Sequence, residues 1–216
     1  MRIKMAACAA NLTYRPPAST IVAMSHHVIT HPALAPLKAH LPDVKFLVGE
    51  FRDMVTVVVP REQILPVGAF LRDDPAQHYE LLSEVNGVDY LNYPGAAHRF
   101  GVNYGLVSVE HGTRLWLKVF LDPTLDTAPG TAVRDEVVLE TGDPGLKVPS
   151  VTSLWPGAEW MEREVYDMFG IIFTGHPDLR RILTWNGYGS YPLRKDYPLR
   201  GVGERENYKI ITREGA

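Results

Sequence analysis

Cysteine is nearly absent from this sequence, since Cys8 is the only one among 216 residues. A disulfide within the chain is therefore excluded. An iron–sulfur cluster is normally held by several cysteine thiolates, so we expect no such cluster in this chain alone. The sequence thus lacks the means by which many small redox proteins carry electrons.

Long apolar runs and a strong charge of one sign are also missing. No stretch of about 18 apolar residues is present, so no membrane-spanning helix is expected. The 22 basic and 25 acidic residues give a formal net charge of −3, which argues against nucleic-acid binding. The apolar stretch Met5–Ala10 is too short for a signal peptide, and we favour Met24 as the start of the protein over an organelle transit peptide.

Familiar catalytic motifs are lacking as well. The sequence has no glycine-rich dinucleotide or phosphate loop, no zinc-protease HExxH motif and no GxSxG nucleophile motif. The pair His26-His27 and the scattered remaining histidines show no spacing typical of metal ligands. We therefore expect neither metal nor catalytic residues.

The first half of the sequence predicts alternating short strands and helices. Two runs rich in β-branched residues, Val44–Val48 and Met54–Val59, indicate strands. A helix should follow, either from Arg61 or from Pro66, and end at Asp73-Asp74-Pro75. The segment Tyr79–Val85 predicts a second short helix that ends at Asn86-Gly87.

The second half contains the clearest strand pattern. Apolar residues alternate with polar or small ones from Phe100 to Val109 and from Leu115 to Leu121, which predicts an antiparallel hairpin with one buried face. A further strand is predicted at Val137–Glu140 within a loop-rich region. A helix should run from about Pro156 to Met168 and end at Gly170.

The C-terminal segment is rich in proline, glycine and tyrosine and has no apolar periodicity. The tetrapeptide Tyr-Pro-Leu-Arg occurs twice, at 191–194 and at 197–200. Tyrosine and arginine often anchor protein interfaces, so this segment predicts an extended docking arm. We expect the chain to divide into an N-terminal extension (1–40), a domain (41–183) that stays folded without the arm, and the arm (184–216). The expected arm residues are Tyr191, Arg194, Asp196, Tyr197 and Arg200.

The helix around residue 164 carries several charges close together. Its carboxylates could form an acid–base pair of a free-standing enzyme, with Glu162 or Glu164 as the acting group. Alternatively, Glu164 or Asp167 could pair with an arginine such as Arg180 or Arg181. We favour the structural interpretation, because no nucleophile, metal cluster or phosphate loop accompanies the carboxylates.

These residues also resemble a known family. The spacing of the helix residues and of those that follow it is similar to the pattern of the 30 kDa subunit family, the C subunit of NADH–quinone oxidoreductase (respiratory complex I). The flanks Val148–Thr152, Gly175–Leu183 and Pro192–Pro198 agree with it. The matching positions are Glu162, Arg163, Glu164, Asp167, Met168, Phe169, His176, Arg180, Ile182 and Leu183.

The resemblance implies a fold, a role and a set of partners. The fold would be α+β, with an open mixed, largely antiparallel sheet and flanking helices. The role would be that of a non-catalytic assembly subunit of the proton-translocating enzyme, docked on the neighbouring D subunit near the quinone site, on the cytoplasmic side of the bacterial inner membrane. No cofactor is expected in this chain, whereas FMN, iron–sulfur clusters and quinone belong to the whole complex. The alternative is the equivalent subunit of a membrane-bound hydrogenase or of a ferredoxin- or F420-linked dehydrogenase.

Overall fold

The computed structural model describes residues 29–124 and 143–201. The predicted strand at Val137–Glu140, the pair His26-His27 and the arm beyond residue 201 lie outside the described residues. Among the described residues, no helix is long and apolar enough to cross a membrane.

A five-stranded sheet forms the centre of the fold. Its strand order is β1-β2-β5-β4-β3, and only the β2–β5 pair is parallel. The sheet is therefore mixed and largely antiparallel, which confirms the predicted α+β class. The strands are β1 (Leu47–Phe51), β2 (Met54–Val58), β3 (Leu81–Asp89), β4 (Phe100–Ser108) and β5 (Thr113–Leu121).

Within the described residues, three α-helices and a small second sheet accompany the main sheet. A 3-10 turn at Arg61–Gln63 leads directly into α2, and a second turn at Pro144–Leu146 precedes β6. The strands β6 and β7 pair in parallel. These elements are α1 (Leu34–His40), α2 (Ile64–Asp73), β6 (Lys147–Pro149), α3 (Ala158–Phe169) and β7 (Ile172–Thr174).

The core lies on one face of the sheet. Along β5, the odd-numbered residues Leu115 to Leu121 are at most 2% exposed, as the alternating pattern predicts. Helix α3 packs against β3. Helix α1 falls within the predicted N-terminal extension, yet its Leu37 is buried in this core together with the preceding Ala33. The folded domain thus begins upstream of residue 41.

The predicted helix at Tyr79–Val85 is wrong, because this segment leads into strand β3. Tyr79, Leu82 and Val85 are all buried, and their spacing of three imitates a helix. In the structure, a register shift between Leu82 and Glu84 turns both Leu82 and Val85 towards the core. Gly87 does not end the element but lies inside β3. It packs so closely against α3 that a side chain at this position would collide with Phe169.

The first strand of the first hairpin is displaced from its predicted position by about three residues, whereas the second strand lies where it was predicted. Strand β1 begins at Leu47 and not at Val44, and its Phe51 pairs with Met54 of β2. The two-residue turn consists of Arg52 and Asp53, both of which have positive φ angles (49° and 63°). This backbone matches the twist of the flanking strands, so the turn holds the hairpin tightly.

Candidate functional site: the charged helix α3 and its clamps

Helix α3 buries charged side chains as well as apolar ones. Val165 and Met168 are buried and Met161 is partly buried, so the apolar residues at i, i+4 and i+7 form one face of the helix. The helix ends at Gly170, which has a left-handed φ of 74° and lies against Tyr191, where a side chain would not fit. The unexpected feature is that Glu162, Arg163 and Asp167 are also less than 9% exposed.

Asp167 is a clamp that fixes the loop following β7. Its carboxylate pairs with the Arg181 guanidinium at 2.7 Å and accepts hydrogen bonds from the backbone N–H groups of Ile182, Leu183 and Thr184. The Thr184 hydroxyl donates a further bond. Burial raises the pKa of this carboxyl, but the bonds from Thr184, Leu183 and Arg181 outweigh it and hold the pKa below its usual value. The predicted Asp167–arginine pair is confirmed.

Arg163 forms a second clamp at the start of the same loop. Its guanidinium bridges Glu159, one helical turn earlier, and Asp178 at 2.9 Å. His176 completes this arrangement, because its Nε2 contacts the Glu159 carbonyl and its Nδ1 accepts the Asp178 N–H. Residues 176–184 are therefore fastened to α3 at both ends.

Glu162 fixes the segment on the opposite side of the helix. One carboxyl oxygen accepts the Ser150 hydroxyl at 2.6 Å and the other accepts the Val151 N–H at 2.8 Å. The side chain is fully buried. Burial raises the pKa of Glu162 to about 7, although both hydrogen bonds lower it. Such a pKa suits a general acid, but both oxygens are engaged within the protein interior, where substrate has no access.

The raised pKa of Glu162 predicts that folding stability falls with rising pH. The unfolded carboxyl releases its proton near pH 4.5 and the folded one near pH 7. Stability is thus unaffected below this window, declines through it and stays lower above it, by an amount on the order of 3 kcal/mol. Glu162→Gln should remove this decline, because the amide does not ionise. Its oxygen can accept the Val151 N–H and its nitrogen can donate to the Ser150 hydroxyl oxygen.

The measurement is urea unfolding of both chains from about pH 4 to pH 8, a range that includes both pKa values. Glu164→Gln, on the exposed face of the same helix, is the control and should follow the unmodified chain. An unchanged pH dependence in Glu162→Gln would show that another group is responsible.

Phe169 is buried, whereas the other remaining residues of the predicted site lie at or near the surface. Glu164 is exposed and has no ion pair with a described residue; it lines a cavity of about 110 Å³ between α3, β3 and Leu193. Arg180 is 66% exposed and pairs with Asp178, not with a helix carboxylate. Leu183 is 63% exposed and Ile182 is half-buried.

The described part of the predicted arm packs against its own domain. The Leu193 N–H and the Arg194 Nε donate to the Met168 and Phe169 carbonyls at the end of α3. Tyr191 packs between Gly170 and Arg194, whose guanidinium lies 4.4 Å from the ring centre. Tyr197 bonds to Tyr188 through their hydroxyl groups, and Arg200 is exposed.

Two polar contacts tie the arm to the end of β3 and to the residue before β4. The Lys195 N–H donates to the Asp89 carboxylate at 2.9 Å, and Asp196 pairs with Arg99 at 2.6 Å. Asp89 and Arg99 were not predicted as site residues, because their partners in the arm lie 106 and 97 residues away along the chain.

No group of three or more His, Cys, Asp or Glu side chains in residues 29–124 and 143–201 could hold a metal ion. The arrangement around α3 is instead a set of hydrogen-bonded clamps. These clamps give a defined shape to the loop after β7 and to the arm.

Comparison with known proteins places this arrangement in a family. The family described as "Respiratory-chain NADH dehydrogenase, 30 Kd subunit" matches residues 57–202, which is more than half of the chain. The C subunit of NADH-quinone oxidoreductase from Roseiflexus sp. (strain RS-1) is 44% identical over 163 residues, covering 76% of this chain and 80% of the relative.

Two further relatives extend the comparison. The mitochondrial NADH-ubiquinone oxidoreductase 30.4 kDa subunit of Neurospora crassa is 38% identical over 166 residues, covering 75% of this chain and 50% of the relative. A chain of the membrane-bound sulfane sulfur reductase, an archaeal respiratory membrane complex, has a TM-score of 0.56 at 24% identity, covering 84% of this chain and 92% of that chain. This last likeness is one of fold alone. The charged α3 pattern lies entirely within the matched region, and the chain belongs to the 30 kDa subunit family of respiratory-chain NADH dehydrogenase, the C subunit of complex I.

Proposed function

We propose that this chain is a non-catalytic assembly subunit of NADH–quinone oxidoreductase that docks on the D subunit near the quinone site. One observation carries the proposal: the buried charges of α3 hold this chain's own loops, while large apolar side chains beside them are exposed. Trp160 is 68% exposed on α3, and Leu183, Trp185 and Leu193 are 63%, 40% and 50% exposed on the segments clamped to it. These four residues are here called the C-terminal apolar surface.

The composition of this surface suits a protein partner. Exposed tryptophan and leucine next to tyrosine and arginine are typical of the desolvated centre of an interface. The clamps reduce the entropy that the loop would lose on binding, because its conformation is already fixed. The carboxylate with a near-neutral pKa, Glu162, is fully buried, which disfavours the alternative of a free-standing acid–base enzyme.

The names of the relatives indicate which enzyme complex this chain would belong to. The Roseiflexus relative is named as the C subunit of NADH-quinone oxidoreductase, which favours an NADH–quinone enzyme over a hydrogenase or a ferredoxin- or F420-linked complex. In this proposal the FMN, iron–sulfur clusters and quinone are carried by other subunits. The chain reaches the membrane only through the complex, on its cytoplasmic side.

The test is the affinity of purified chain variants for the D subunit. Leu193→Asp should weaken binding about 30-fold, the effect of losing an anchor worth about 2 kcal/mol. The matched control is Val109→Asp, because Val109 is 65% exposed and lies beyond the far end of β4. Equal affinities of the two variants, with both chains folded, would refute docking through the C-terminal apolar surface.

A further inference from the structure

The dipeptide Asn-Gly occurs twice in the chain, at 86–87 and at 186–187. Asparagine is a thermally labile residue, and it is most labile before glycine, which has no side chain to keep its backbone nitrogen away from the asparagine amide. The reaction needs a backbone that can bend until this nitrogen reaches the side-chain carbonyl carbon of the asparagine. The structure gives the two copies very different freedom to do so.

The first copy is held inside strand β3. Both Asn86 and Gly87 pair with residues of β4. The Asn86 side chain uses both of its amide atoms, because its Oδ1 accepts from Asn103 Nδ2 at 3.0 Å and its Nδ2 donates to Glu84 at 2.9 Å. Gly87 packs closely against Phe169 of α3. Reaction at this copy would therefore require β3 to leave both the sheet and the helix.

The second copy forms the corner of an exposed turn in the arm. The Tyr188 N–H donates to the Trp185 carbonyl at 3.0 Å, so Asn186 and Gly187 occupy the two central positions of a β-turn. Both central residues are exposed. Neither the Asn186 amide group nor the Gly187 N–H makes a hydrogen bond to another residue of 29–124 or 143–201. The two groups that would react are therefore available to each other.

The reaction that this turn favours is deamidation. The Gly187 nitrogen loses its proton to water or hydroxide and attacks the side-chain carbonyl carbon of Asn186. A carbon–nitrogen bond forms there, the bond from the same carbon to Nδ2 breaks, and ammonia leaves with a proton taken from water. Water then opens the cyclic imide at either carbonyl, which gives aspartate or isoaspartate. Water is the only co-reactant, and the product carries a negative charge at neutral pH.

We propose that Asn186 is a site of spontaneous deamidation in the free chain, and that the product weakens docking of the chain. The conversion itself depends only on the turn. Its effect on docking rests on the function proposed above, because residue 186 directly follows Trp185 of the C-terminal apolar surface. A new charge there would lose its hydration when the surface is covered, which is costly unless a cation pairs with it. Free chains would thus lose the ability to assemble as they age.

Peptide mapping by mass spectrometry tests the site, on the full chain incubated in neutral buffer where it stays folded. We expect deamidation at Asn186 and conversion at Asn86 that is at least about 100-fold slower, because opening β3 adds to the barrier. The rate at Asn186 should rise with pH, since the attacking nitrogen must lose its proton. No conversion at Asn186, or equal rates at the two positions in the folded chain, would overturn the proposal.

The variant Gly187→Ala tests the attacking group. An added Cβ at this position lies 3.6 Å from the Trp185 side chain, an ordinary contact, so the turn should persist. The methyl group restricts the backbone freedom that ring closure needs, and deamidation should slow about 10-fold. The matched control is Gly157→Ala, because a Cβ there meets no atom within 4 Å. Equal rates at Asn186 in the two variants would overturn attack by the Gly187 nitrogen.

The variant Asn186→Asp reproduces the charge of one product and tests the effect on docking. Its affinity for the D subunit should be about 10-fold lower than that of Asn186→Gln, which keeps a neutral amide. Equal affinities of these two variants, in an assay where Leu193→Asp weakens binding, would overturn the effect on docking alone. If Leu193→Asp also binds normally, the docking proposal fails with it, and mass spectrometry still decides whether Asn186 is a deamidation site.

Discussion

Asp167→Ala should lower the free energy of unfolding by about 3–5 kcal/mol, because it leaves a buried guanidinium and several backbone donors without their acceptor. The Asp167 side chain is fully buried, and that of its partner Arg181 is 8% exposed. Three consecutive N–H groups, those of Ile182, Leu183 and Thr184, would lose their common partner at the same time. The chain should assemble poorly into the complex as a result. Chemical denaturation of the isolated chain, followed by quantification of this chain in the complex, gives both results.

Glu164→Ala is the matched control on the same helix. Its side chain is exposed and has no ion pair with a described residue, so the change in stability should stay within about 0.5 kcal/mol. The sequence left open whether Glu164 or Asp167 is the buried partner of an arginine, and the structure assigns that role to Asp167. If Asp167→Ala assembled normally but abolished quinone reduction, a direct chemical role would replace the structural one.

Removal of the arm should destabilise the domain, contrary to the expectation from sequence that the domain stays folded without it. A chain that ends at Thr184 keeps the Asp167 clamp but loses the bonds from Leu193, Arg194 and Lys195. At about 1 kcal/mol for each hydrogen bond, the expected loss is about 3 kcal/mol. Loss of Asp196 would add to it, because Arg99 would lose an ion-pair partner.

A second truncation, after Gly201, is the comparison for this experiment. It removes residues 202–216 and keeps every arm contact named above, so it separates the contribution of those contacts from that of the last residues. Thermal unfolding of the three chains distinguishes the alternatives. Equal midpoints for all three would show that the arm adds nothing to the stability of the domain, as the sequence had suggested.

Patterns with a short repeat predicted their elements well. The alternation from Phe100 to Leu121 gave the β4–β5 hairpin, because every second side chain of both strands faces the same core. Gly170 marked the end of α3, because a residue without a side chain is favoured in its left-handed conformation. These signals are local, and tertiary contacts did not override them.

Signals that depend on distant contacts were missed. The bulge in β3 becomes recognisable only through its pairing with β4, so its apolar spacing suggested a helix. Glu162 resembles an exposed helix residue in sequence, and only the packing of Ser150 and Val151 against it explains its burial. The arm was predicted as a segment that docks on a partner, but a sequence does not show that its described part packs on the same chain.

The contacts between the arm and the sheet also impose an order on folding during synthesis. Asp89 is made 106 residues before its partner Lys195. At about 5–20 residues per second on the ribosome, the sheet waits roughly 5–20 s for the arm to emerge. During that interval Arg99 is the near charge available to Asp89, at 3.5 Å, and the last carbonyls of α3 lack the arm's donors. The nascent chain therefore completes these contacts only when Arg194 and Lys195 have left the ribosome.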